Sequence, residues 1–126
     1  MALVLDSGGV SFLAGRSRGA GVLRLTLVSE GVWPPLVPSP VLVECLRDPG
    51  RDANTNCLLK SCGIVTDIDE GVARRAAWLR TRARRGSAID ALVVACAEPG
   101  GSVLTGDRGD ISALAAHARD VRVEQI

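Results

Sequence analysis

A chain of 126 residues is long enough for one domain that buries about two thirds of the surface of its unfolded form. Only Phe12, Trp33 and Trp78 are aromatic, so the core must be aliphatic, and a sheet that stacks RNA bases on rows of aromatics is excluded. Fifteen basic against 14 acidic residues leave a net charge of +1, too little for a global field toward nucleic acid or membrane, so electrostatic recognition must be local.

Four cysteines show no C-x-x-C spacing, and His117 is far from each of them in sequence. Reduced thiols are therefore the expectation, over a zinc site or a disulfide. Asp6 arrives too early for a signal peptide, and the charge-free stretch Gly31 to Val43 carries four prolines, so neither reads as a targeting or membrane segment. A cytoplasmic protein is expected. No repeat, linker or low-complexity tail divides residues 1–126, which are read as a single domain.

In chain order, Ala2 to Leu5 is an all-apolar run that fits a buried parallel strand and ends on Asp6-Ser7-Gly8-Gly9. One helical turn is expected at Val10 to Ala14 and a helix at Gly19 to Glu30. The proline-rich run Trp33 to Pro38 reads as a short strand that must be an edge or be interrupted. Ser39-Pro40 then starts a helix to Arg47 that carries Glu44. A break at Asp48-Pro49-Gly50 precedes a helix from Asp52 to Ser61 and a strand at Ile64 to Thr66.

The longest helix is expected from Asp67 to about Arg85, with Asp67 and Glu70 at capping-box spacing. Ile68, Val72, Ala76, Leu79 and Ala83 form its apolar stripe. Arg74, Trp78, Arg82 and Arg85 form a second stripe, read either as a solvated face with Arg stems over Trp or as a phosphate contact or partner anchor. Ser87 to Ala97 is apolar on every face except at Asp90, which makes it a buried helix with one carboxylate inside it. A strand at Ser102 to Thr105 ends on Gly106-Asp107-Arg108-Gly109-Asp110, ahead of a helix from Ile111 to about Ala118 and a last strand at Val121 to Val123. Alternation of short apolar strands with helices predicts an α/β fold, a mostly parallel sheet with helices on both faces.

Sites in parallel sheets gather outside the carboxyl ends of the strands, where Asp6 and Asp107 stand. Each acid has a local reading as well: Asp90 as the partner of Ser87 in a capping box, Asp110 as the cap of the helix at Ile111. Asp6, Asp90, Asp107 and Glu44, all in apolar or Gly-rich settings, together favour a shared cluster. Carboxylates so gathered repel one another unless a cation joins them. An oxygen-only donor set selects Mg²⁺ or Mn²⁺ over zinc.

Leu3-Val4-Leu5-Asp6-Ser7, Glu44 within Ser39 to Glu44, Ile89-Asp90-Ala91-Leu92 and Leu104 to Asp110, in this order, resemble a PIN domain, specifically a VapC-type toxin ribonuclease. The resemblance runs nearly end to end and departs at Gly8-Gly9, where helix formers are commoner. It implies a PIN-like fold and catalytic, metal-binding carboxylates at Asp6, Glu44, Asp90 and Asp107. Asp110 would be an auxiliary ligand, and Ser7 or Thr105 an orienting hydroxyl. It also implies Mg²⁺- or Mn²⁺-dependent cleavage of RNA by metal-activated water, a VapB-type antitoxin and a homodimer. Arg74, Arg82, Arg85 and Arg108 are candidates for holding RNA backbone. The alternative is a non-catalytic PIN-like interaction or RNA-binding module. A phosphoacceptor receiver is disfavoured because Lys60, the only lysine, lies in the wrong helix region, and a haloacid-dehalogenase phosphatase because Gly8 stands where its second acid belongs.

Overall fold

The computed structural model describes residues 2–126. Five short strands, β1 (Leu3–Leu5), β2 (Leu36–Pro38), β3 (Gly63–Val65), β4 (Ser102–Thr105) and β5 (Arg122–Gln125), form one sheet in the order β3-β2-β1-β4-β5. Every pairing is parallel, with β1 and β4 in register from Leu3↔Ser102 to Leu5↔Leu104. Successive side chains of β1 point to opposite faces, yet Leu3, Val4 and Leu5 are all buried, so both faces are covered. The expected α/β architecture is the one observed.

The helices among the described residues are α1 (Ser7–Ala14), α2 (Arg18–Ser29), α3 (Val41–Cys45), α4 (Ala53–Leu59), α5 (Glu70–Ala83), α6 (Ala88–Ala97) and α7 (Arg108–Ala115). Packing at the centre follows from composition. Ala91, Val93, Val94 and Ala97 of α6 close over β1 and β4 together with Leu79, Ile111 and Leu114. Small and branched side chains of this kind allow short strands and helices to approach closely without aromatic filler.

Several boundaries differ from the sequence expectation. The first helix begins at Ser7, not Val10, because Asp6 caps it by accepting the Gly9 N–H at 2.8 Å. Gly8 and Gly9 therefore lie inside the helix, and the reason is room. A Cβ on Gly9 would stand 2.5 Å from the Leu104 carbonyl oxygen, and one on Gly8 would stand 2.9 Å from the Gly106 nitrogen. α5 is capped by Asp69, which accepts from Val72 N–H at 2.9 Å, rather than by the Asp67 and Glu70 pair. α7 is capped by Asp107, not Asp110, and so starts three residues earlier than expected.

The proline-rich strand is not an edge. β2 lies between β3 and β1, but it pairs with β1 only at Val4↔Leu36. Pro38 stands past that pair, so its missing N–H leaves the ladder intact. The four cysteines are free; burial pushes the Cys62 thiol up to about 11, and those of Cys45 and Cys96 upward too, which keeps them protonated and poor nucleophiles at neutral pH.

Candidate functional site

The order β3-β2-β1-β4-β5 sends the chain to one side after β1 and to the other after β4, so the crevice between these strands is the switch point of the sheet. Asp6 follows β1 there, and Thr105 closes β4. Asp6 is 6% exposed, and each of its oxygens accepts one hydrogen bond: Oδ1 from the Gly9 N–H, and Oδ2 from the hydroxyl of Thr105. Thr105 Oγ1 in turn accepts the Asp107 N–H at 2.8 Å. A chain of three hydrogen bonds thus fixes the Asp6 carboxylate relative to the next acid along β4. Thr105, rather than Ser7, is the hydroxyl bonded to Asp6; Ser7 is half-buried at the first position of α1.

Asp90 reaches the same place from α6. It is half-buried, and it forms a capping box with Ser87, Ser87 N–H donating to Asp90 Oδ2 and Asp90 N–H to Ser87 Oγ, both at 3.0 Å. Capping and clustering are therefore compatible, since a carboxylate has lone pairs left after accepting one N–H. Asp107 accepts the Asp110 N–H at 3.3 Å as the cap of α7. Asp90, Asp107 and Asp110 each have a carboxylate oxygen within 4.8 Å of one on each of the others.

Electrostatics tie the remaining two acids to these. Burial pushes the Asp6 carboxyl up from its ordinary 3.8, the Thr105 and Gly9 hydrogen bonds oppose it, and the charges of Asp90 and Asp107 push it further up. Glu44, exposed on α3, is also raised, first by partial burial and then by Asp90 and Asp6. The charges acting on Asp6 and Glu44 are all negative. Five carboxylates are thus drawn to one end of the sheet, and hydrogen bonds within the chain account for orientation but not for charge. All donors are hard oxygens, which suits Mg²⁺ or Mn²⁺ in chemistry and number.

Of the arginines singled out in the sequence, two have structural partners nearby and one has left its stripe. Arg74 pairs with Glu70 at 2.7 Å on an exposed face. Arg82 lies 5.2 Å from the Trp78 ring centre, with Arg75 at 4.5 Å, so the solvated reading of this face describes what is seen. Arg85 instead donates from Nε to Asp110 Oδ1 at 2.7 Å. Arg108 is exposed at the first position of α7. Sequence reasoning missed the Arg75 and Glu98 pair, which joins α5 to the end of α6. No local pattern marks it, because its partners lie 23 residues apart.

No family model matches the chain, and no curated protein matches it in sequence. The fold is nonetheless a known one: the all-parallel five-stranded sheet flanked by helices matches the PIN-like fold. Two solved structures similar to it carry that arrangement. The structure of FitAB bound to an IR36 DNA fragment aligns over 98% of this chain and 94% of the other, with a TM-score of 0.67 and 18% identity. That of FitAcB from Neisseria gonorrhoeae aligns over 96% and 95%, with a TM-score of 0.64 and 20% identity. At these identities the likeness is one of fold.

Proposed function

We propose that this protein is a metal-dependent endoribonuclease, the toxin of a type II toxin–antitoxin pair. The observation that carries the proposal is the under-neutralised cluster at the switch point of a PIN-like sheet: Asp6, Glu44, Asp90, Asp107 and Asp110, with Asp6 and Glu44 both raised first by burial and then by their acidic neighbours. The likeness to FitAB and FitAcB supports the toxin–antitoxin reading. Asp6, Glu44, Asp90 and Asp107 would hold Mg²⁺ or Mn²⁺, with Asp110 as auxiliary. Bound there, such an ion screens the charge of an RNA phosphate and makes water a competent nucleophile near neutral pH.

The protein's own part is preorganisation. Thr105 and Gly9 hold Asp6 in one orientation before substrate arrives, so no rearrangement of that carboxylate is needed during the reaction. Ser87 does the same for Asp90. No carboxylate need attack the phosphorus. RNA is the proposed substrate, its backbone held by Arg74, Arg82 and Arg108. A VapB-type antitoxin and a second copy of the chain are the proposed partners. Val22, Leu25 and Val28 on α2 and Val43 beside Glu44 are exposed apolar surface available to them. Among the described residues no helix is long and apolar enough to cross a membrane; the proposed compartment is the cytoplasm.

One observation favours the non-catalytic alternative. Asp6 and Asp107 each cap a helix and Asp90 completes the capping box of Ser87, so each has a structural reason to be there without metal. Incubation of the purified protein with total RNA, with Mn²⁺ and with chelator, separates the two readings. Cleavage that needs the ion and is abolished in Asp90→Asn supports the nuclease. Equal cleavage in Asp90→Asn, or none under any condition together with no Mn²⁺-induced thermal shift, overturns it in favour of an interaction module.

A further inference from the structure

The acid cluster faces a cation supplied by the chain itself. Arg85 lies in the loop between α5 and α6, where Arg84 has φ 57° and Gly86 φ 92°, and where Arg80 Nε donates to the Gly86 carbonyl at 3.1 Å. This backbone turns Arg85 away from the outer face of α5 and across the start of α7, to Asp110 Oδ1 at 2.7 Å. Gly109 makes the room. A Cβ there would stand 3.0 Å from Arg85 Nη2 and 3.7 Å from Asp107 Oδ1, so the guanidinium rests over bare backbone next to two of the acids.

Asp110 is then claimed twice. One of its oxygens lies within 4.8 Å of oxygens on Asp90 and Asp107, and its other obligation is to Arg85. We infer that Arg85 is a resident counter-cation which competes with the divalent ion for Asp110, and so sets how tightly the cluster holds that ion. This rests on the metal-binding reading of the cluster. Three features make exchange possible. The pair is a single Nε contact, not a bidentate one; the Arg85 side chain is 56% exposed and that of Asp110 29%, so the guanidinium can turn into water without being buried uncompensated; and among the described residues Asp110 is the carboxylate it pairs with. A positive charge held beside Asp107 and Asp110 also repels an incoming divalent cation directly.

The consequence is coupling between ion and substrate. A phosphate beside the cluster offers Arg85 a second anion, and a guanidinium drawn to it leaves Asp110 to the metal. Linkage then requires that each ligand strengthen the binding of the other by the same factor. Arg85 is in this view a positioning residue acting through Asp110.

The test is a titration with Mn²⁺ alone, free ion being read by its electron paramagnetic resonance signal, on the wild type, Arg85→Gln and Gly109→Ala. Arg85→Gln removes the competing charge and should lower the Mn²⁺ dissociation constant by about tenfold at low salt, less as salt rises. Gly109→Ala keeps the charge, but its Cβ, 3.0 Å from Arg85 Nη2, pushes the guanidinium aside by a few tenths of an ångström and loosens its contact with Asp110. It should fall between the two, and alanine is favoured over glycine in a helix, so the variant should fold. Circular dichroism verifies the fold of both. A dissociation constant in Arg85→Gln equal to or greater than that of the wild type overturns the inference while leaving the metal site standing. Failure of all three proteins to bind Mn²⁺ overturns the metal reading and the inference with it.

Discussion

The two ends of α6 treat a carboxylate in opposite ways. At its carboxyl end, Glu98 is 7% exposed and answered in full: Arg75 donates from Nε at 2.9 Å and from Nη2 at 2.8 Å, and the Arg119 N–H adds a third donor at 3.1 Å. Burial pushes the Glu98 carboxyl up, but the Arg75 hydrogen bonds, the Arg119 N–H and both guanidinium charges outweigh it and hold it below the ordinary 4.5. At the amino end, Asp90 stands among acids, and its charge helps to push Asp6 and Glu44 up. One helix therefore carries a completed ion pair at one end and, at the other, an acid that the capping box orients but no cation among the described residues answers. It is this unanswered charge in a preorganised setting that makes the amino end the candidate site.

The sharpest way to break this comparison is to neutralise one acid at each end. Asp6→Asn keeps a good cap on α1 but should lower Mn²⁺-dependent RNA cleavage by about a hundredfold or more, as loss of a ligand must exceed the effect of losing a supporting contact. Its stability should move with pH in a set direction. Asp6 and Glu44 are held above their ordinary values of 3.8 and 4.5, so in the absence of metal they favour the fold when protonated, and that contribution is lost as pH rises through their raised values. Glu98 has the reverse sign: its contribution is present above about pH 4.5 and is lost as pH falls through its lowered value. Urea denaturation in chelator should show Asp6→Asn gaining on the wild type over the range that begins at the ordinary 3.8 and ends at the raised value. A constant difference across that range would contradict the raised Asp6.

Next in size is the contact that sets Asp6 in place. Gly9→Ala puts a Cβ 2.5 Å from the Leu104 carbonyl oxygen, a backbone atom that cannot swing aside. α1 must move off β4, at a cost of about 3 kcal/mol in urea denaturation, and Asp6 moves with it. Glu98→Ala comes after this. It leaves the Arg75 guanidinium without its carboxylate, but that side chain is 25% exposed and can reach water, so the loss should be about 2 kcal/mol. Cleavage per folded molecule should be unchanged, the opposite of the result at Asp6.

How far this could be read from the chain depends on the range of the interaction. The strands were legible because Ala2 to Leu5 and Ser102 to Thr105 are apolar runs ended by acids, and Asp90 because it interrupts an apolar helix. Helix starts were less so. Asp107 and Asp110 are both good cap residues, and which one caps α7 is decided by the Thr105 hydroxyl holding the Asp107 N–H, a bond no spacing rule encodes. For β2 local rules see the prolines and leave an edge or an interrupted strand open; that it is the interrupted one, inside the sheet, depends on where β1 stops pairing with it. The pairs of Arg75 with Glu98 and Arg85 with Asp110 span 23 and 25 residues, and only the packing of α5, α6 and α7 brings them together.

The smallest effect is expected on the outer face of α5, and it sharpens the comparison from the other side. Arg74 and Glu70 are both 79% exposed and one helical turn apart, a pair that water and salt screen almost as well as each screens the other's absence. Arg74→Gln should therefore change stability by no more than about 0.5 kcal/mol. If Arg74 holds RNA backbone, the same substitution should weaken binding of every RNA tested alike and reduce the slope of log affinity against log salt by about 1. Stability and slope both unchanged would leave this face a solvated one, with Arg75 and Arg82 beside Trp78. The RNA would then have to be held by groups nearer the acids, Arg108 at the head of α7 first among them, so that the charge deficit at the amino end of α6 and the cations that draw substrate to it would lie on the same end of the sheet.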